Sequence, residues 1–335
     1  MSPSKLLCAV VLFALWRGLY CGDAEVTIHV IDEAGAAIPD AKVSAGWNLP
    51  RDSGNGSGVG RGEGVTGLSD KDGRVVLSVK GIPGIDVEKS GFYRNGIDGM
   101  DVMPKYFAKM QAPDNKITID ITLVKITSPI PMIVRSVSSK LPASNIDCGF
   151  DLVLGDWVAP NGKGQASDFI FHVTYKEREP KDWDRDIKLS FTKPTDGILR
   201  FPIDVSTNRN AIRSPLTAPD SGYVQELVWS EFMHRGKTRL AEMSADPEFL
   251  LGTVRLDSFA RNQNDNYIFR VRTKMNEEVA PPIEGMWGKI YGPIVLSESG
   301  LDVSFRYYVN PTGTRGLEWD TINNLANGQR VPPVP

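Results

Sequence analysis

The chain has 335 residues, 41% apolar and 24% charged, enough to bury one or two cores without metal or disulfide staples. Its formal net charge of −3, without any Lys/Arg cluster, argues against a nucleic-acid partner, which would need a concentrated positive face.

The N-terminus carries Lys5, then the ten-residue apolar run Leu6–Leu15, then Gly22 and Ala24 at the spacing of a signal-peptidase site. A charged start, a short apolar stretch and a small-residue end describe a secretory signal over residues 1–24. Two alternatives stand beside it. A membrane anchor would need about 20 apolar residues. A lipoprotein signal could use Cys21, but Tyr20 stands where a small residue is preferred. No later stretch approaches membrane-spanning length, so an exported protein with no span after signal removal is expected. Cleavage after Ala24 leaves Cys148 as the one cysteine, a small buried hydrophobe in a fold that rests on its core.

Residues 25–33 alternate, with Val26, Ile28 and Val30 on one face of a half-buried strand. Residues 41–47 form a second such strand. Next comes the glycine-rich stretch 51–67, in which Gly62 to Gly67 match G-x-G-x-x-G. A phosphate cradle of that type needs a helix starting on its glycines, and here Leu68-Ser-Asp-Lys-Asp-Gly73 leads into another strand, Arg74–Lys80. The stretch is therefore expected to be a long loop at one end of a sandwich. Residues 117–126 supply a further strand rich in β-branched side chains.

The residues Asp32, Gly35, Pro39, Ala41, Val43, Thr66, Asp70 and Gly73, in this order, resemble the carboxypeptidase regulatory-like domain over residues 25–127. The resemblance implies a small transthyretin-like β-sandwich of the kind that accompanies many exported proteins, and it implies no particular activity.

Ser128-Pro-Ile-Pro131 marks a boundary. Beyond it, residues 169–175, 186–191, 197–203, 267–273 and 301–309 read as strands, residues 223–233 fit strand or helix, and Asp246–Leu251 fits one helical turn. The expected architecture is all-β: two β-sandwich-like domains, 25–127 and 132–322, followed by a tail over 323–335. The segments "YIFRVRTKMNEE", "WGKIYG" and "FRYYVNPTGTRGLEWD" resemble the closing parts of exported bacterial proteins without an assigned activity.

Catalytic signatures are weak. His29, His172 and His234 are isolated, without the local spacing of a zinc site. Ser57 lacks the glycines of a nucleophile elbow, because Asn55 and Val59 occupy those positions. Asp147, Asp151 and Asp156 cluster in sequence and form the candidate metal site, with calcium as the ion such carboxylates would take. Trp157 and Trp183 are the candidate sugar-stacking aromatics, with core packing as the alternative for each. Asp182, Asp184 and Arg185 flank Trp183 and complete a candidate ligand site. The leading expectation is an exported non-catalytic binding or structural protein of the cell surface or periplasm, contacting a glycan or a protein and needing no cofactor. The alternative is a secreted polysaccharide hydrolase that uses paired carboxylates of the second domain.

Overall fold

The computed structural model describes residues 23–48, 62–80, 83–97, 116–179, 182–202, 214–234, 254–257, 265–275, 283–297, 301–320 and 322–325. Residues 1–22 of the signal expected over 1–24, the first part of the glycine-rich stretch and the helical turn expected at 246–251 lie outside them. Among the described residues every regular element is a strand, so the protein is all-β. The described residues divide into two compact units between Thr127 and Ser128.

Unit 1 contains β1 (Asp23–Ile31), β2 (Lys42–Asn48), β3 (Gly62–Leu68), β4 (Arg74–Lys80), β5 (Gly84–Glu88), β6 (Asn95–Ile97) and β7 (Lys116–Thr122). They form two sheets, β4-β1-β7 and β3-β2-β5-β6. The alternation read from the sequence decides the faces. Val26, Ile28 and Val30 of β1 are each 0% exposed, and they join Val43 and Ala45 of β2, Val87 of β5 and Ile121 of β7 in one core cluster. Burying these apolar side chains, most of them β-branched, on the inner faces of both sheets is the main stabilising contribution, about 1.5–3 kcal/mol for each large one.

The glycine-rich stretch departs from the expected loop. Gly62 to Leu68 is strand β3, paired antiparallel with β2 from Gly62 opposite Asn48 to Leu68 opposite Lys42. Glycine weakens a strand without forbidding it, and pairing to β2 supplies the ladder bonds that the local sequence does not advertise. Gly67 turns inward, where a Cβ would come within 2.7 Å of Val75, so the site requires glycine.

Two turns meet at the end of this sandwich. In the turn before β4, the Asp70 carboxylate accepts from the amides of Asp72 and Arg74, both at 2.9 Å. Those amide bonds, that to Arg74 first, hold the carboxyl below its ordinary range. Gly73 adopts φ +72 beside the carbonyl of Val30. Ser69, 2% exposed, donates to the Ile38 carbonyl and accepts from the Ala41 amide, both at 2.8 Å, which fastens the loop 38–41 to the end of β3.

Unit 2 contains β8 (Ile133–Lys140), β9 (Asp147–Asp151), β10 (Asp156–Trp157), β11 (Phe169–Glu179), β12 (Asp182–Ser190), β13 (Gly197–Pro202), β14 (Glu226–His234), β15 (Val254–Asp257), β16 (Asp265–Met275), β17 (Ile283–Tyr291), β18 (Val295–Leu296) and β19 (Asp302–Asn310). One sheet runs β10-β9-β11-β12-β14-β15, and the other runs β13-β16-β17-β19-β18 with β8 also paired to β19. The core between them is aromatic: Phe150, Phe169, Phe171, Phe269 and Tyr307 belong to one buried cluster, with the Phe169 and Phe269 rings edge-to-face at 5.1 Å. Cys148 lies in the same cluster at 2% exposure. The second sheet is covered on its other face as well, where Ala218, Leu317 and Trp319 from two irregular segments pack on Val134, Ile268 and Tyr308.

Candidate functional site

The acidic trio of unit 2 does not converge. Asp147 and Asp151 sit four residues apart at opposite ends of β9, roughly 13 Å at the rise of an extended strand. Asp147 faces His172, with Oδ1 2.7 Å from the ring Nδ1. Asp156 lies opposite Asp151 across the β9–β10 pair, but its carboxylate accepts from the amides of Trp157 at 2.8 Å and Lys163 at 2.9 Å. Among the described residues no group of three or more His, Cys, Asp or Glu side chains is arranged around a shared point.

Asp151 instead belongs to a clamp between the two sheets of unit 2. Its Oδ1 accepts from the amides of Val153 and Leu154, and its Oδ2 from those of Gln165 and Ala166. Arg272, on a β-bulge of β16 with φ +54, donates from Nη2 to Asp151 at 2.9 Å and from Nε to Asp168 at 2.7 Å. Asp168 also accepts from the Leu152 amide at 2.9 Å. Burial pushes both carboxyls upward, but the net direction differs. For Asp168 burial prevails over Arg272, whereas for Asp151 the amides of Leu154, Gln165 and Ala166 together with Arg272 prevail, and the pKa falls. Each carboxylate is 2% exposed and committed to amides or guanidinium, so the chemistry this pair performs is cross-linking.

The aromatic candidates are core residues. Trp157 is 4% exposed, its Nε1 donates to Ser139 Oγ at 2.9 Å, and its ring meets Phe150 edge-on at 5.2 Å. Trp183 is 3% exposed, which corrects the surface position that its charged neighbours suggested. The reason is strand parity. Trp183, Arg185, Ile187 and Leu189 of β12 all face inward, while Asp184 and Asp186 face the other way. Arg185 follows Trp183 inside: its guanidinium lies 4.6 Å from the indole centroid and donates to the carbonyls of Leu296 at 2.9 Å and Ser297 at 2.6 Å. A buried cation is tolerated here because carbonyl oxygens and an aromatic face replace water. The Asp182 side chain lies outside the described residues.

A different site appears in unit 1. A cleft of about 460 Å³ opens beside the outer face of β2 and β5, lined by Asp40, Lys42, Glu88, Lys89, Ser90, Phe92 and Arg94. Parity places two of them: Val43 and Ala45 point into the core, so Lys42 points out, and Val87 does the same for Glu88. Lys42 and Glu88 are cross-strand partners with Nζ and Oε2 3.7 Å apart. The loop fastened by Ser69 delivers Asp40, whose φ of +52 is rare for a residue other than glycine. The β5–β6 turn delivers Phe92: its amide donates to the Lys89 carbonyl at 3.1 Å, and the neighbouring Gly91 carbonyl accepts from Ile126 at 2.9 Å.

Charge in the cleft is mixed and partly committed. Arg94 donates from Nε to Asp86 at 2.6 Å, with Glu88 3.6 Å away, and the bond to Asp86 raises the guanidinium pKa further. Arg94 is thus ion-paired with both Asp86 and Glu88, whereas the Lys89 ammonium has no ion-pair partner among the described residues. Leu68, opposite Lys42 on β3 and 63% exposed, adds apolar surface on the same side of the sheet. The sequence carried a signal for this cleft in the outward parity of Lys42 and Glu88, but the pairing of β2 with β5 that joins them is not local.

No family model matches the chain, and no curated protein does. Solved structures that align with it include a mutant of the shaft pilin spaA from Lactobacillus rhamnosus GG (12% identity, 53% of this chain and 90% of that one, TM-score 0.19). A streptococcal ancillary pilin aligns at 12% identity over 74% of this chain and 52% of its own, with TM-score 0.19. A protein of Bacteroides uniformis ATCC 8492 described as carbohydrate-binding aligns at 11% identity over 84% and 95%, with TM-score 0.18. At TM-scores this low the likenesses assign nothing to this chain.

Proposed function

We propose that the chain is an exported, non-catalytic binding protein of the cell surface or periplasm that holds a glycan in the cleft of unit 1. One observation carries the reading: Phe92 shares a single open cleft with two acids, Asp40 and Glu88, and three bases, Lys42, Lys89 and Arg94. A sugar ring presents an apolar face of C–H groups and a rim of hydroxyls that both donate and accept. An aromatic side chain meets the first, and alternating carboxylates and cations meet the second. The resemblance of residues 25–127 to an accessory domain of exported proteins fits this reading, and in it the buried acids Asp151 and Asp168 serve the fold. The test is a glycan array probed with the purified protein and with Phe92→Ala. Retention of at least one glycan by the native protein, lost in the variant with its melting transition preserved, is the expected result. Binding that survives the substitution would place the site elsewhere.

A further inference from the structure

We infer that Asn161 is a modification site: its side chain closes on the backbone nitrogen of Gly162, loses ammonia and becomes aspartate or isoaspartate. The site lies in unit 2 and is independent of the glycan reading of unit 1.

Two of the described asparagines precede a glycine, and the fold treats them oppositely. Asn95 of β6 is 2% exposed, its Nδ2 donates to the Thr122 carbonyl at 2.7 Å, and its Oδ1 accepts from the Gly96 amide at 2.7 Å. The Gly96 nitrogen thus turns its N–H toward that side chain, and burial keeps any base from removing the proton. Asn161 is exposed in the loop between β10 and β11. Its own amide donates to the Val158 carbonyl at 3.1 Å, but among the described residues nothing bonds its side chain and nothing accepts the Gly162 N–H. Neither reacting group has a bond to give up, and glycine places no side chain in the path of ring closure.

The deprotonated Gly162 nitrogen attacks Cγ of Asn161, the side-chain nitrogen leaves as ammonia, and a cyclic imide forms. One water then opens the ring. Addition at Cγ gives aspartate; addition at the main-chain carbonyl gives isoaspartate, whose main chain is longer by one methylene. The loop has no room for that methylene. A Cβ on Gly162 would lie 2.3 Å from the Trp157 carbonyl and 2.7 Å from Asp156 Oδ1. Just beyond, the Lys163 amide donates to Asp156 Oδ2 at 2.9 Å and the Gly164 amide to the Trp157 carbonyl at 2.8 Å. Isoaspartate displaces these amides and loosens β10, the edge strand of its sheet, whereas aspartate adds a charge without lengthening the chain.

The experiment holds the native full protein, and the same protein unfolded in guanidinium chloride, in mildly alkaline buffer and maps deamidation by mass spectrometry of acid-protease peptides. Asn161 should convert in the native protein within about threefold of its rate in the unfolded chain, while Asn95 should be slowed by folding about tenfold or more. The isoaspartyl form, isolated by ion exchange, should unfold at lower denaturant than Asn161→Asp, which carries the same charge. Protection of Asn161 by about tenfold or more in the native state would overturn the inference, because the fold would then lock the turn against closure. Equal midpoints for the isoaspartyl form and Asn161→Asp would overturn the loosening of β10.

Discussion

Lys289 donates from Nζ to the carbonyl of Leu317 at 2.7 Å, although the lysine is 0% exposed. A second bond reaches Ser214 Oγ at 3.1 Å. Both acceptors belong to the irregular segments that cover the second sheet of unit 2, so this one side chain of β17 pins that cover to the sheet. Tyr291 and Tyr308 flank the ammonium, their ring centroids 5.1 and 5.5 Å away.

Burial lowers the Lys289 pKa from its ordinary 10.5 to about 7, against the opposing pull of Glu318. Between those two values the unfolded chain holds a proton that the folded chain has released. Folding stability therefore rises with pH across that window, by at most about 1.4 kcal/mol per pH unit from this group. Below it both states are protonated and the burial penalty is constant. Urea unfolding of the native protein and of Lys289→Met, compared from pH 6 to pH 10, should show the native protein gaining stability relative to the variant above about pH 7. A difference that stays flat with pH would contradict the assignment.

Arg272 is the second case of a charge that holds sheets together. Its removal leaves Asp168 and Asp151, each 2% exposed, without their guanidinium. Arg272→Ala should cost about 3–5 kcal/mol, the range for breaking a buried ion pair from one side. Asp168→Asn in the same background should recover part of it, since no buried charge then remains at that position. Denaturant midpoints of the single and double variants measure both effects.

Two glycines with the same backbone sign should behave differently. Gly73 has φ +72 and a Cβ there would lie 2.4 Å from the Val30 carbonyl, whereas Gly91 has φ +82 with nothing within 4 Å. Gly91→Ala should cost about 1 kcal/mol from the backbone alone. Gly73→Ala adds a clash with main-chain atoms and should cost a further 1–3 kcal/mol or so. Thermal melts of the two variants give the ranking directly.

Cys148 is buried at 2% exposure, with Sγ directed toward the carbonyl of Ala143 at 3.5 Å. In the protein lacking residues 1–24 it is the one thiol, so labelling reports on a single site. Modification by an aromatic disulfide reagent should be slow in the native state and become fast across the denaturant transition. Rapid labelling without denaturant would show the β9 edge of the sandwich opening locally.

The strands most legible in the sequence are those with one apolar face. Residues 74–80 coincide with β4, and Val26, Ile28 and Val30, read as one face of 25–31, are the buried positions of β1. The segment 223–233, which fits two periods, resolves as β14 because β12 and β15 flank it. Failures arise where composition outweighs parity. The charges around Trp183 suggest solvent, yet Trp183 and Arg185 are the inward residues of β12, and what makes an inward arginine acceptable is the carbonyl pair at Leu296 and Ser297, far away in sequence. Glycines at 62, 64 and 67 suggest a loop, yet β2 pairs with them throughout. The cleft was hidden for a related reason: Lys42, Glu88 and Phe92 meet only once β2, β5 and the turn after β5 have assembled.

The parallel pairing of β1 with β7 has a kinetic consequence. Val26 lies beside Ile117 and Ile31 beside Thr122, so the earliest strand of unit 1 is the middle strand of its sheet and waits for the last one. A chain made from its N-terminus holds β1 half-paired until about a hundred further residues have been joined, and such distant partners make assembly slow. The cleft of unit 1 inherits that delay, because the turn that presents Phe92 is fastened to Ile126, just past β7. The cleft should be complete last, in the same step that adds β7 to the edge of the sheet beside β1.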